Sequence, residues 1–316
     1  MTGWHGEGPL SPSVTADGRR LVVAKVRGWS DVYLVELNEK GVPGASPTQL
    51  TTTRSYDFAT TWARDSTSIV FYSNRTGRNQ IFRQQLGQDA AEQLFPGSDD
   101  QQGAEFSPDG KWILYWSTPY GASPPPTTQR LMRVPVLGGS PETLLEAPIG
   151  PAVAFDCPTS ALGQCVLSRP KETRLVFYHL DPILGLGKEI GGVDASTNTH
   201  WAISPDGSQM VVTDKKAFPL QMLLRNLADS TQRVLPLSPA LDVRELAWTS
   251  DGRFVFGAGV RNNKGFIARI DLRGNAQVIV YRGNNVLLSP RPSPDGRHLY
   301  FTQMMWESNA WLLENF

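Results

Sequence analysis

Short apolar–polar alternations recur along the chain, and most are hinged on the same turn. In Phe106-Ser107-Pro108-Asp109-Gly110-Lys111-Trp112-Ile113-Leu114-Tyr115, Phe106 closes one strand. Pro108 sets φ near the value a tight turn needs, and Gly110 accepts a positive φ without steric cost. Ile113 and Tyr115 then share one face of the next strand, with Trp112 and Leu114 on the other. Related turns carry Asp17, Asp65, Asp206, Asp251 and Asp295. Four residues after these six aspartates stand Leu21, Ile69, Ile113, Met210, Val255 and Leu299; six after stand Val23, Phe71, Tyr115, Val212, Gly257 and Phe301. Two apolar columns two residues apart mark one buried face of a strand.

The turns recur every ~45 residues, a period of the kind that short-stranded propeller blades produce. The spacing doubles between Asp109 and Asp206, which places a degenerate unit near residues 150–190. The predicted fold is an all-β propeller of four-stranded antiparallel blades, seven preferred and six as the alternative. The units fall near residues 11–51, 57–95, 103–145, 151–190, 199–235, 243–281 and 290–316, in one domain over 1–316. The last unit lacks a fourth strand. In a closed ring the N-terminus supplies it, yet residues 1–10 read as a poor strand, so the chain is expected either to be a fragment or to close by other contacts.

The Ser-Pro-Asp-Gly turn, the strand after it, and the polar turn Ser73-Asn74-Arg75-Thr76-Gly77 before Ile81-Phe82 resemble the WD-like repeat of TolB-type propellers, over essentially the whole chain. The ending from Leu299 through Asn309 to Phe316, the pair Cys157 and Cys165, and Leu180-Asp181-Pro182 are similar to propellers found C-terminal to bacterial serine/threonine kinase or winged-helix DNA-binding domains. That resemblance implies a recognition or sensor module regulating an attached domain, and it favours a periplasmic or extracytoplasmic setting. It also admits a TolB-like envelope scaffold, or the non-catalytic lid of a prolyl-oligopeptidase-type hydrolase. Fold alone does not choose among these.

Composition narrows the classes of partner. Of 316 residues, 40% are apolar and 19% charged, and Lys+Arg and Asp+Glu are both 30. Zero net charge argues against a nucleic-acid surface, and Lys215-Lys216, the only adjacent lysine pair, reads as a solvated loop. No apolar run reaches the ~18 residues of a membrane span. Residues Met1–Glu7 have neither the basic start nor the apolar core of a signal peptide. A monomer is expected, and Ser123-Pro124-Pro125-Pro126 reads as a stiff surface loop.

The search for chemistry ends without a catalytic set. No Gly-x-Ser-x-Gly or His-Glu-x-x-His is present. Gly185-Leu186-Gly187-Lys188 lacks the remaining residues of a phosphate loop and reads as a turn. His5, His179, His200 and His298 show no metal-ligand spacing, so neither metal nor cofactor is expected. The turn aspartates are assigned a structural role, accepting bonds from nearby N–H groups. Trp62, Trp248 and Trp112 are expected in inter-blade core, while Trp4 and Trp29 are candidates for a ligand mouth. Cys157 and Cys165 fall on neighbouring strands. They form a candidate disulfide if the domain is extracytoplasmic, and two buried thiols otherwise. The chain is expected to be non-enzymatic, and to bind a protein partner or small ligand through rim loops, with residues 150–190 the place where symmetry is broken.

Overall fold

The computed structural model describes residues 10–194, 199–214, 221–239 and 241–314. Trp4, His5 and the pair Lys215-Lys216 lie outside the described residues. Within them every regular element is a strand, and the strands form six antiparallel sheets. The first blade runs through Asp57–Trp62, Ser68–Ser73, Gln80–Gln85 and Ala91–Gln93, and the second through Asp100–Phe106, Trp112–Thr118, Thr128–Pro135 and Glu142–Pro148. The third uses Ala154–Asp156, Cys165–Lys171, Arg174–Asp181 and Gly185–Asp194. The fourth comprises Trp201–Ile203, Gln209–Asp214, Gln221–Asn226 and Gln232–Pro236, and the fifth Val243–Trp248, Phe254–Arg261, Lys264–Asp271 and Ala276–Arg282. The sixth joins both ends of the chain: Val286–Pro292 and His298–Glu314 pair with Arg20–Glu36, which also pairs with Leu10–Val14 and Thr48–Gln49.

The core is distributed between sheets. Val70, Ile81, Ile113 and Tyr115 fill the space between the first and second blades. Leu114, Leu131, Phe155 and Leu167 do so for the second and third, and Val166, Phe177, Met210 and Val212 for the third and fourth. Further clusters join the fourth to the fifth, the fifth to the sixth, and the sixth back to the first through Val32, Tyr300, Phe71 and Phe82. Six sheets sharing six apolar interfaces in cyclic order make a closed ring.

The ring has six blades, the alternative count, because the units near 11–51 and 290–316 share one sheet. Arg20–Glu36 runs unbroken for 17 residues, paired residue for residue with His298–Glu314. Gly28 is there for close approach: a Cβ would meet Tyr56 Oη at 2.6 Å and Trp306 Cδ1 at 3.2 Å. The closing strand therefore comes from residues 20–36.

The turn aspartates do one job. Asp65, Asp109, Asp206, Asp251 and Asp295 each accept the N–H two residues on and a hydroxyl from Thr67, Ser107, Ser204, Thr249 or Ser293 respectively. These donors hold each carboxyl below the usual range; at Asp251 and Asp295 burial is the largest single influence and opposes them. Asp17 makes the same turn from Thr15 and Arg19. Its turn joins Leu10–Val14 to the start of Arg20–Glu36, which pairs with the far end of His298–Glu314. Asp17 thus stands apart from the other five.

Ile113 is 4% exposed and lies between blades, so Ile113→Asp buries an unpaired carboxylate and is expected to cost about 3 kcal/mol or more. Asp109→Ala removes two bonds from an exposed turn and is expected to cost about 1 kcal/mol. Thermal melts should rank them in that order; the reverse ranking would mean that the strand faces are misassigned.

Candidate functional site

Five inner strands share a penultimate column, four residues before the turn aspartate: Thr61, Glu105, Ala202, Ala247 and Arg291. In four blades the register slips just before or close to this column, between Ala59 and Thr61, Gln102 and Glu105, Val243 and Glu245, and Leu288 and Arg291. Gly103 and Ser289, inside two of these bulges, have positive φ. A bulge re-aims the residue that follows it. Here the five residues, with Asp156 from the third blade, line one small cavity of about 90 Å³ at the mouth of the ring.

Arg291 is the hub of that mouth. Its Nε donates to the Thr60 carbonyl at 2.7 Å, and its Nη2 lies 3.4 Å from Glu105 Oε1. The indole of Trp62 donates to the Arg291 carbonyl. Asp156 accepts the N–H of Ile203 at 2.9 Å and that of Cys157. Burial opposes the Arg291 charge, and Glu105 and Asp156 outweigh it, holding the guanidinium charged. Burial pushes Asp156 up, against Arg291 and the two N–H donors. It also pushes Glu105 up to about 8, Arg291 pulling the other way and Asp156 adding repulsion. The Glu105 side chain is only 12% exposed, so burial weighs on its charged form.

The second feature lies on the same rim, where the third blade departs from the repeat. In place of a Pro-Asp-Gly turn, Cys157 and Cys165 are joined by a disulfide around the loop 158–164. This loop, Trp112 and residues 179–188 border a cleft of about 880 Å³. Leu162 is 95% exposed, Leu184 85% and Ile183 58%. Trp112, expected in the core, instead faces this cleft with the Arg133 guanidinium 4.7 Å above its ring. Arg133 also donates to the Pro182 and Ile183 carbonyls and pairs with Glu142, fixing the turn that carries Ile183 and Leu184. His179 borders the cleft, its basicity lowered by burial and by Lys188.

Other sequence candidates fall elsewhere. Trp62 and Trp248 are buried between blades as expected. Trp29 carries Arg54 over its ring and donates to Asp31, away from both features. His298 packs against Trp62 and borders a polar cavity between the fifth and sixth blades, with Asp251 and Asp295. The turn aspartates remain one per blade. Among the described residues no His, Cys, Asp and Glu side chains gather in a metal-holding group. Glu105, Asp156 and Arg291 escaped the sequence reading, although the polar or small column before each turn was the available signal.

Glu105 gives the mouth a pH dependence of definite sign. Its folded pKa lies above the ordinary value of 4.5, so its contribution to stability is full below that value and is lost as pH rises towards about 8. Glu105→Gln cannot lose a proton. Its melting temperature relative to the parent is expected to climb between about pH 4.5 and about pH 8, and a difference constant across that window would refute the assignment.

Residues 5–131 match the family described as the TolB beta propeller domain. No curated protein matches the chain in sequence. Among solved structures, TolB from Acinetobacter baumannii is 15% identical with a TM-score of 0.58, over 88% of this chain and 66% of that one; the present chain thus spans about two thirds of that protein. A protein described as TolB from Agrobacterium tumefaciens is 13% identical with a TM-score of 0.65, over 87% of this chain and 98% of that one. Oligogalacturonate lyase from Vibrio parahaemolyticus is 13% identical with a TM-score of 0.51, over 94% and 96% respectively. Likeness at these identities concerns the fold, and a fold does not fix a function. In fold, the chain is a TolB-like β-propeller, with six sheets among its described residues.

Proposed function

We propose that this propeller is a non-catalytic recognition module that receives an apolar segment of a protein partner in the cleft beside the third blade. The observation carrying this reading is the exposure of Leu162, Ile183 and Leu184 around a cleft of about 880 Å³. A soluble surface rarely keeps such side chains together without a use. The blade faces are committed to their neighbours through the six apolar clusters, whereas the rim turns can vary without disturbing that packing. The mouth is built as a structural lock: Arg291 is engaged by the Thr60 carbonyl and Glu105 and is flanked by Asp156. The resemblance of the repeats to propellers joined to kinase or DNA-binding domains supports a further step, in which occupancy of the cleft tunes such a domain.

Panning a displayed peptide library against the purified chain tests this. Apolar peptides are expected, and Leu162→Asp with Leu184→Asp should weaken them about tenfold or more while the melting temperature holds, because both side chains face solvent. Binders indifferent to this pair would overturn the cleft assignment. Turnover of a peptide, ester or glycoside, abolished by changing one of the chain's own polar residues, would overturn the non-catalytic reading.

A further inference from the structure

The third blade differs from the five others in what holds its first turn. Elsewhere an aspartate accepts a hydroxyl and an N–H of its own turn. Here the inner strand Ala154–Asp156 is three residues long, its last ladder pair is Asp156 with Val166, and the next pair outward is the disulfide itself. An aspartate-held turn is indifferent to redox conditions; a disulfide-held one is not.

The loop inside this bridge also reaches across the rim. The Thr159 carbonyl accepts from the Arg64 guanidinium of the first blade, which also donates to the Ser107 and Pro108 carbonyls of the second. Ser160 N–H donates to the Pro205 carbonyl of the fourth at 2.9 Å. Gly207 of that blade's turn packs so closely that a Cβ would lie 3.2 Å from Gly163 Cα and 3.4 Å from Pro158 Cγ. Below, the Cys157 N–H donates to Asp156 beside the Arg291 hub, and Cys157, Pro158 and Thr159 border the cavity at the mouth. On its outer side the loop supplies Ala161, Leu162, Gly163 and Gln164 to the apolar cleft. One nine-residue segment, Cys157 to Cys165, therefore borders both features, and its ends are tied by the disulfide.

We propose that the Cys157–Cys165 disulfide is a redox latch: a dithiol reductant that opens it frees the 158–164 loop and loosens the wall of the docking cleft. The cleft's part in recognition rests on the function proposed above; the latch itself does not. Cys165 is fully buried and Cys157 only partly, so an incoming thiolate attacks Cys157 Sγ and expels Cys165 as thiolate, which takes up a proton. The second thiol of the reductant then resolves the mixed disulfide. Two electrons and two protons pass to the protein, leaving two cysteine thiols and one oxidised reductant. Without the bridge, the loop is left to the Arg64 and Pro205 ties and its packing against Gly207, and Leu162 loses its fixed position.

Hydrogen-exchange mass spectrometry on the full chain, before and after dithiothreitol, reads the latch directly. The oxidised protein, purified without reductant, should resist alkylation. After reduction two alkylations are expected, with exchange about tenfold faster in residues 158–164, and with the turns at Asp109 and Asp251 and the far-ultraviolet circular dichroism unchanged. Reoxidation should restore protection. Two freely alkylated thiols that air or diamide cannot join, unchanged exchange in a demonstrably reduced loop, or global unfolding on reduction would each overturn the proposal. Library peptides selected on the oxidised form should bind about fivefold more weakly to the reduced form. If no peptide binds even the oxidised form, the recognition reading fails, while the exchange data still judge the latch.

Discussion

The structure depends on one pairing, between Arg20–Glu36 and His298–Glu314. Blade faces are apolar on both sides, so an open stack would leave two of them in water. Closing the ring converts these two into interior surface, here the clusters containing Val32 with Phe71 and Tyr33 with Phe256. Because the two strands are far apart in sequence, the first and fifth blades lack their complete sixth-blade neighbour until this ladder forms. Long-range pairing of this kind is slow to find and cooperative once found.

Ring closure has a consequence at the centre. Six inner strands must converge, and whatever side chains they aim inwards are forced together. The column before the turns resolves this crowding by size and charge. Ala202 and Ala247 make room, Thr61 is small and polar, and Arg291 enters the gap to meet Glu105 and Asp156. Two acids crowd one guanidinium, and burial pushes both of them up, Glu105 to about 8. Such a buried set is a poor source of net stability but penalises any misaligned blade, since a shift would strand a charge. The bulges at Glu105 and Arg291 fit that reading, because they set the register of their strands where the charges meet.

Much of this was legible in the sequence. The apolar columns at Ile113 and Tyr115 and their equivalents identified the strands, and the aspartate turns identified the hairpins. The blade count was misread because the units near 11–51 and 290–316 were counted as separate blades, whereas Arg20–Glu36 and His298–Glu314 pair in one sheet. The hub was missed for a different reason. Glu105 and Arg291 are ordinary in their own repeats, and only the ring brings residues so far apart in sequence together. The apolar cleft was hidden because Ile183 and Leu184 belong to no repeat column, and Gly185-Leu186-Gly187-Lys188, read as a turn, instead opens the strand Gly185–Asp194 beside them. Trp112 was placed in the core on its column, when it lies on the opposite face of its strand from Ile113.

In a ring of repeats, the shared positions are already employed: the apolar columns fill the interfaces and the aspartates hold the turns. Capacity to distinguish one partner from another must then come from positions where a repeat departs from its neighbours. The third blade departs in three linked ways. It has lost the aspartate turn, gained a disulfide loop that touches the first and fourth blades, and placed Ile183 and Leu184 in solvent on the next turn. Simple decay of a repeat would be expected to loosen its packing. Yet Val166, Leu167, Leu175 and Phe177 are as buried as their counterparts elsewhere, and Arg133 and Arg64 from other blades anchor the altered turns. An irregularity that keeps its core and acquires new ties across the rim is the feature on which the proposed docking cleft rests.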